Sequence, residues 1–212
     1  MLDISKLDEE NLERIRNILK TDKKIKCILG IAYSLDVVSK YLLSKKDTPD
    51  MFNLEIVISG AEVLQDETRK NLKKVFGCNV VSRYSNQENG IIAQEYIEEA
   101  VFKINNASYY IEFLKPDSDE EAKEGELARV VITDLFNYAI PMIRYDTGDM
   151  AIVKNHPKYG KVITSIEGKK LDFIYDTKGE MLSPVTIAIN LRSIPNYYQF
   201  KQFQLVQEKE KE

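Results

Sequence analysis

The sequence predicts an α/β protein in three parts: a βαβ sheet subdomain with flanking helices, a small antiparallel β-barrel, and the start of a C-terminal α+β domain. Three observations carry this reading. Helical and strand periods alternate as far as about residue 90, and short alternating runs separated by turn residues follow. Beyond Gly168 only one hairpin, one helix and one strand can be read, too few elements to bury a core of their own.

In the first part, Asp8 is placed to cap a helix whose apolar residues Leu12, Ile15, Ile18 and Leu19 share one stripe. A strand through Ile25, Cys27 and Leu29 comes next, and Ser34 is expected to cap a helix carrying Leu35, Val38, Tyr41 and Leu42. The run LEIVISG from Leu54 reads as a buried strand, and Leu64, Thr68, Leu72 and Phe76 mark the inner face of a third helix. Gly77 is its natural stop, because glycine accepts the left-handed backbone of a helix C-cap without a steric penalty. A strand around Val80 and Val81 then delivers the chain to the polar segment SRYSNQENG, read as a turn.

The second part holds ASYYIEFL, GELARVVITDL and KVITSI, with the acidic loop PDSDEEAKEGE between the first two, as in an antiparallel sheet or barrel. In the third part a hairpin turns at DTKGE, Ser183 and Pro184 open a short helix, and a strand runs through Tyr198, Phe200 and Leu205 before a solvated QEKEKE tail. The domains are accordingly 1–99, 100–167 and 168–212, with the last boundary between Ile166 and Leu171.

Composition narrows the function classes. With 30 basic and 34 acidic residues the net charge is −4, so nothing global draws the chain to nucleic acid or an anionic membrane. No segment has the roughly 18 apolar residues of a membrane span and the N-terminus has no signal-peptide pattern, so a cytoplasmic location is expected. Cys27 and Cys78 each end an apolar stretch, without a C-x-x-C partner, and read as buried free thiols. His156 stands in the turn signature NHPKYG and reads as a surface loop residue, which leaves no credible Ser-His-Asp or Cys-His arrangement.

The glycines exclude more. Phosphate-cradling loops need closely spaced glycines, and here the closest pair, Gly160 and Gly168, is eight residues apart, so neither a dinucleotide fingerprint nor a P-loop can be written. Three segments do combine glycine, carboxylate and hydroxyl or aromatic groups: ISGAE at 58–62, RYSNQE at 83–88 and IRYDTGD at 143–149. The first two follow predicted strands, where open α/β sheets collect ligands. Each also has a plain structural reading: Glu62 as a first-turn helix carboxylate, Glu88 as a surface loop acid, Asp149 as a turn residue after glycine.

Taken in order, these segments together with GELARVVITDLFNYAIPMIRYDTGD at 125–149 and IEGKKLDFIYDTKGEMLSP at 166–184 resemble the adenylate-forming superfamily. The branch they resemble is the phenylacetate-coenzyme A ligase type, which includes ligases associated with capsular polysaccharide biosynthesis. The likeness runs from about residue 5 to residue 207, and TDLFNYAIPMIRYDTGD is its most specific part. It implies a carboxylate that attacks the α-phosphate of ATP, loses pyrophosphate, and passes as an acyl-adenylate to a thiol such as coenzyme A. Glu88 matches the family glutamate that holds Mg²⁺ and is the catalytic candidate; Tyr84 matches the aromatic that packs on adenine. Gly60, Ala61 and Glu62 match the segment whose backbone lies along the base, and Asp149 the acid that accepts hydrogen bonds from both ribose hydroxyls. Ser85, Gln87 and Lys169 complete the expected nucleotide contacts, and Tyr33 with the loops around Gly30 and Gly90 lies where an acyl pocket would be walled.

The departures are specific. Ser85 stands where the family has glycine and Gln87 where it has threonine or serine; the hinge pattern G-R-x-D-D reads Gly168, Lys169, Lys170, Leu171, Asp172; and NHPKYGK replaces a cysteine cluster. The family's Ser/Thr/Gly-rich phosphate loop and its catalytic lysine lie upstream and downstream of the segment matched here. The expectation is therefore a truncated ligase carrying the adenine, ribose and Mg²⁺ half of the site, inactive or nearly so alone. Its partners would be a nucleotide (ATP or AMP) and a small carboxylate, without nucleic acid or membrane, and a homodimer is left open. Two alternatives stand beside it: a non-catalytic module for protein interaction, and adenylyl transfer to a small cofactor.

Overall fold

The computed structural model describes residues 7–170, 174–179, 181, 182, 187, 191, 194, 206 and 207. The chain divides into two compact units, Met1–Asn105 and Asn106–Glu212.

The first unit is α/β. Strands β1 (Cys27–Ile31), β2 (Ile56–Gly60) and β3 (Asn79–Asn86) run parallel, with Cys27 paired to Ile56 and Val57 to Val80. The chain then reverses: β4 (Gly90–Glu95) is antiparallel to β3, and β5 (Phe102–Ile104) is antiparallel to β4. Helices α1 (Glu9–Thr21), α2 (Ala32–Ser44) and α3 (Asp66–Phe76) supply Leu12, Ile15, Leu19, Leu35, Val38, Leu42, Leu72, Val75 and Phe76 to one core with Val57 and Val80. Asp8 caps α1 as expected, its carboxylate accepting the Asn11 N–H at 2.9 Å. Gly77 ends α3 at φ +65°, and its N–H donates to the Lys73 carbonyl at 2.9 Å.

Several expectations are corrected here. Helix α2 begins two residues before Ser34, with Ile31 in the cap position and no side-chain cap, so Ser34 is a buried first-turn residue. Ile25 and Leu54 precede their strands. Both cysteines are free, Cys78 half-buried and Cys27 exposed, because Cys27, Leu29 and Ile31 share one face of β1 and that face is uncovered: Leu29 is 62% exposed. Gly30 lies within β1, not in a loop; a Cβ there would stand 3.1 Å from the Leu35 side chain. The segment SRYSNQENG is mostly strand, with only residues 87–89 forming the turn. Strands β4 and β5 were not foreseen.

The second unit is an antiparallel sheet in the order β9–β8–β7–β6, formed by β6 (Tyr109–Leu114), β7 (Leu127–Asp134), β8 (Tyr145–His156) and β9 (Gly160–Lys169). The alternating runs read from the sequence become β6, β7 and β9, with Phe113 opposite Val130 and Val153 opposite Ile163, all buried. Strand β8 absorbs both the YDTGD segment and His156, so His156 is a half-buried strand-end residue stacked on Tyr159 at 4.8 Å rather than a loop residue. The hairpin at DTKGE is present: β10 (Ile174–Tyr175) pairs with β11 (Met181–Leu182) around a turn at Thr177 and Lys178. The helix expected at Ser183 and Pro184, the strand through Tyr198, Phe200 and Leu205, and hinge residues Leu171 and Asp172 lie outside the described residues. Among the described residues no helix is long and apolar enough to cross a membrane.

Candidate functional site

In the first unit the candidate residues gather at the carboxyl ends of β2 and β3. Ser59 pairs with Ser82, so the segments that follow, Gly60–Ala61–Glu62 and Arg83–Tyr84, leave the parallel sheet side by side. Gly60 closes β2 with open space around the position a Cβ would take. Ala61 follows at φ +66°, the left-handed region that disfavours any residue with a Cβ. This turn directs Glu62 back across the sheet, where its Oε2 accepts the Tyr33 N–H at 3.0 Å. Tyr33 is the second residue of α2, whose first-turn N–H groups have no side-chain cap of their own. Glu62 therefore serves the N-terminus of α2 and not that of α3, which starts four residues later at Asp66. The sequence had suggested the first turn of α3; nothing local signals a carboxylate that caps a helix 29 residues upstream.

Tyr84 and Ser85 lie in β3, where a register shift interrupts the pairing with β4. The Tyr84 side chain is mostly buried, with 7% of the residue exposed. The hairpin beyond it is built by two asparagines: Asn86 Oδ1 accepts the Asn89 N–H at 2.7 Å, and Asn86 Nδ2 donates to Asn89 Oδ1 at 3.1 Å. Gly90 completes the turn at φ +81°. This clamp pushes Gln87 and Glu88 to the exposed tip. Asn86 and Asn89 are structural residues that sequence reading passed over, although asparagine three residues before another in front of glycine is a turn signal.

Asp149 is positioned in the second unit. The Thr147 hydroxyl donates to the Val130 carbonyl at 3.0 Å and accepts the Asp149 N–H at 3.1 Å, which ties the turn to β7. Gly148 sits at φ +72°, and its N–H donates to Asp146 Oδ1 at 2.9 Å. Asp149, 8% exposed, is thereby held at a fixed place on β8, opposite Lys169 at the end of β9. Lys169 Nζ donates to Asp149 Oδ1 at 2.7 Å and to the Thr147 carbonyl at 2.9 Å. Thus Gly60, Ala61, Glu62, Tyr84, Ser85, Gln87 and Glu88 form one group within the first unit, and Asp149 and Lys169 a second within the other.

Among the described residues no three His, Cys, Asp or Glu side chains are arranged to hold a metal ion. An exposed single carboxylate such as Glu88 suits Mg²⁺ only where phosphate oxygens and water complete the octahedron, the usual mode for that ion. A groove of about 700 Å³ between α1 and α2, lined by Glu13, Tyr41 and Lys45 among others, contains none of the candidate residues. Its polar groups serve each other: the Tyr41 hydroxyl donates to Glu13 Oε2 at 2.8 Å and thereby lowers the pKa of that carboxyl.

No protein-family model matches the chain. Phenylacetate-coenzyme A ligase of Pseudomonas putida is 29% identical over 142 residues, 62% of this chain and 32% of that protein. The enzyme of the same name from Thermus thermophilus is 24% identical over 159 residues, 70% of this chain and 35% of that protein. The chain thus spans about a third of the length of the curated relatives it matches. Among solved structures, 2-hydroxyisobutyryl-CoA ligase in the postadenylation state with 2-HIB-AMP superposes with a TM-score of 0.73 at 18% identity, over 89% of this chain and 41% of that one. ATP-bound MatB from Rhodopseudomonas palustris gives 0.66 at 15% identity, over 87% of this chain and 38% of that one. Over part of their length the chain is similar in sequence to phenylacetate-coenzyme A ligases, and it shares its fold with part of the solved acyl-CoA ligase structures.

Proposed function

We propose that this chain carries the adenosine and metal side of an adenylate-forming ligase site, whose complete protein converts a small carboxylate and ATP to an acyl-adenylate and then to a coenzyme A thioester. The observation that carries this reading is Asp149: a mostly buried carboxylate fixed by the Thr147–Gly148 turn and set beside the Lys169 ammonium. A rigid carboxylate offers two oxygens to the hydroxyls of a ribose, and the neighbouring cation suits a phosphate. In the same reading Gly60 leaves room for a flat base to approach backbone, the mostly buried Tyr84 would be the aromatic that packs on it, and Ser85 and Gln87 would be polar contacts. Glu88 would hold Mg²⁺, which when bound neutralises phosphate charge and polarises the α-phosphate. Glu62 acts indirectly, by fixing the start of α2 beside this strand end. The capsular polysaccharide branch supplies the biological setting that the sequence resembles, and a cytoplasmic location suits ATP and coenzyme A.

The test is calorimetric titration of the chain with AMP and Mg²⁺, compared with Asp149→Ala. The expected result is a weak heat of binding in the wild type that disappears in the variant; indistinguishable heats at millimolar nucleotide overturn the reading. One observation favours the non-catalytic alternative, a module for protein interaction: Gln87 is exposed at the hairpin tip and has no hydroxyl to offer phosphates. Adenylyl transfer to a small cofactor would use the same residues and differs only in its acceptor.

A further inference from the structure

The Asp149–Lys169 pair does more than place two nucleotide contacts side by side. Lys169 is the last residue of β9, and the register puts it directly across from Asp149 at the start of the β8–β9 ladder. Its stem crosses Gly148, the Lys169 Cδ lying 3.8 Å from where a Cβ on that glycine would sit, so the ammonium comes to Asp149 over the only residue of the turn without a side chain. The ammonium is then satisfied twice by the turn itself, through Asp149 Oδ1 at 2.7 Å and the Thr147 carbonyl at 2.9 Å. The two side chains differ in exposure: that of Asp149 is 12% exposed and that of Lys169 54%. Asp149 is the fixed member and Lys169 the one with freedom to leave.

We infer that Lys169 is a positioning residue that acts as an internal stand-in for the ligand, holding Asp149 in its bound orientation and being displaced from it by the ribose. The inference rests on the proposed nucleotide site. Both the ammonium and a ribose hydroxyl are donors, and both seek the same carboxylate oxygens. A nucleoside without phosphate must break the pair and offers the displaced ammonium nothing in return. A nucleotide offers it an anionic oxygen, so the ion pair is exchanged for another rather than lost. The geometry therefore makes Lys169 unfavourable for adenosine and favourable for AMP, a selection for the phosphorylated ligand made at the ribose. A lysine can perform this exchange where an arginine would resist it, since a compact ammonium on a flexible stem is not locked to a carboxylate by a two-pronged fork.

The experiment is NMR titration of the whole chain with adenosine and, separately, with AMP, in the wild type, Lys169→Met and Asp149→Asn. Thermal unfolding of each variant confirms that it is folded. For a half-exposed pair, Lys169→Met is expected to strengthen adenosine binding about two- to fivefold, while weakening AMP binding. Opposite signs for the two ligands are the signature, because a merely structural role would shift both the same way. If both ligands bind in a manner that depends on Asp149 but Lys169→Met moves them in the same direction or not at all, this inference falls and the nucleotide site stands. If neither ligand perturbs the wild type or Asp149→Asn, the proposed function falls and takes the inference with it.

Discussion

Replacing Asp47 by alanine should cost the first unit a large part of its stability. Asp47 follows α2, and its side chain is fully buried while accepting three charge-assisted hydrogen bonds from α1: Arg16 Nε at 2.6 Å, Arg16 Nη2 at 2.8 Å and Lys20 Nζ at 2.6 Å. Breaking a buried pair by removing one partner leaves an uncompensated charge and costs about 3–5 kcal/mol. Here the abandoned cations keep some water, with Arg16 21% and Lys20 22% exposed, and Arg16 retains Glu13 at 2.8 Å. The expected loss is therefore at the lower end of that range, about 3 kcal/mol. The hydrogen bonds from Arg16, and then Lys20, hold the Asp47 pKa below its ordinary value of 3.8. A lowered folded-state pKa stabilises above the unfolded value, and the contribution is lost as pH falls through the folded one. Urea unfolding followed by far-UV circular dichroism should show a difference between wild type and Asp47→Ala that is steady from neutral pH to just above 3.8 and narrows below it. A difference under about 1 kcal/mol at pH 7, or one that widens in acid, would refute the burial argument.

Two further substitutions probe the turns. Gly77→Ala places a Cβ at φ +65° and 2.8 Å from the Pro49 Cβ, and should lower stability by about 1–3 kcal/mol in the same urea assay, since strain and contact add. Ala61→Gly relieves a left-handed alanine at φ +66° in open surroundings and should raise the unfolding midpoint or leave it unchanged, by up to about 1 kcal/mol; a clear loss would show that the Ala61 methyl makes a contact that outweighs its strain.

How much was legible in the sequence follows from the range of the forces involved. Helices α1 and α3 were, because Leu12, Ile15 and Leu19, and Leu72 and Phe76, repeat at the helical period, and because Asp8 and Gly77 act on backbone within one turn of themselves. The order of elements as far as Val81 was legible for the same reason. Strand β3 beyond Val81 was not: its residues are polar, and what makes them a strand is the ladder to β4, which local composition does not encode. Cys27 was read as buried from an apolar run, yet which face of a strand is covered depends on what packs against the sheet, which the run itself does not encode.

The sequence by itself determined the helices, the turns with obligatory glycine and the chemical types available for a site. Only the tertiary structure decided that Glu62 caps α2 instead of α3 and that Lys169 reaches Asp149. Each of these is a bond between residues brought together by chain reversal or sheet register. Such contacts form only once the hydrophobic core has fixed where the strands lie, and no short-range pattern can announce them.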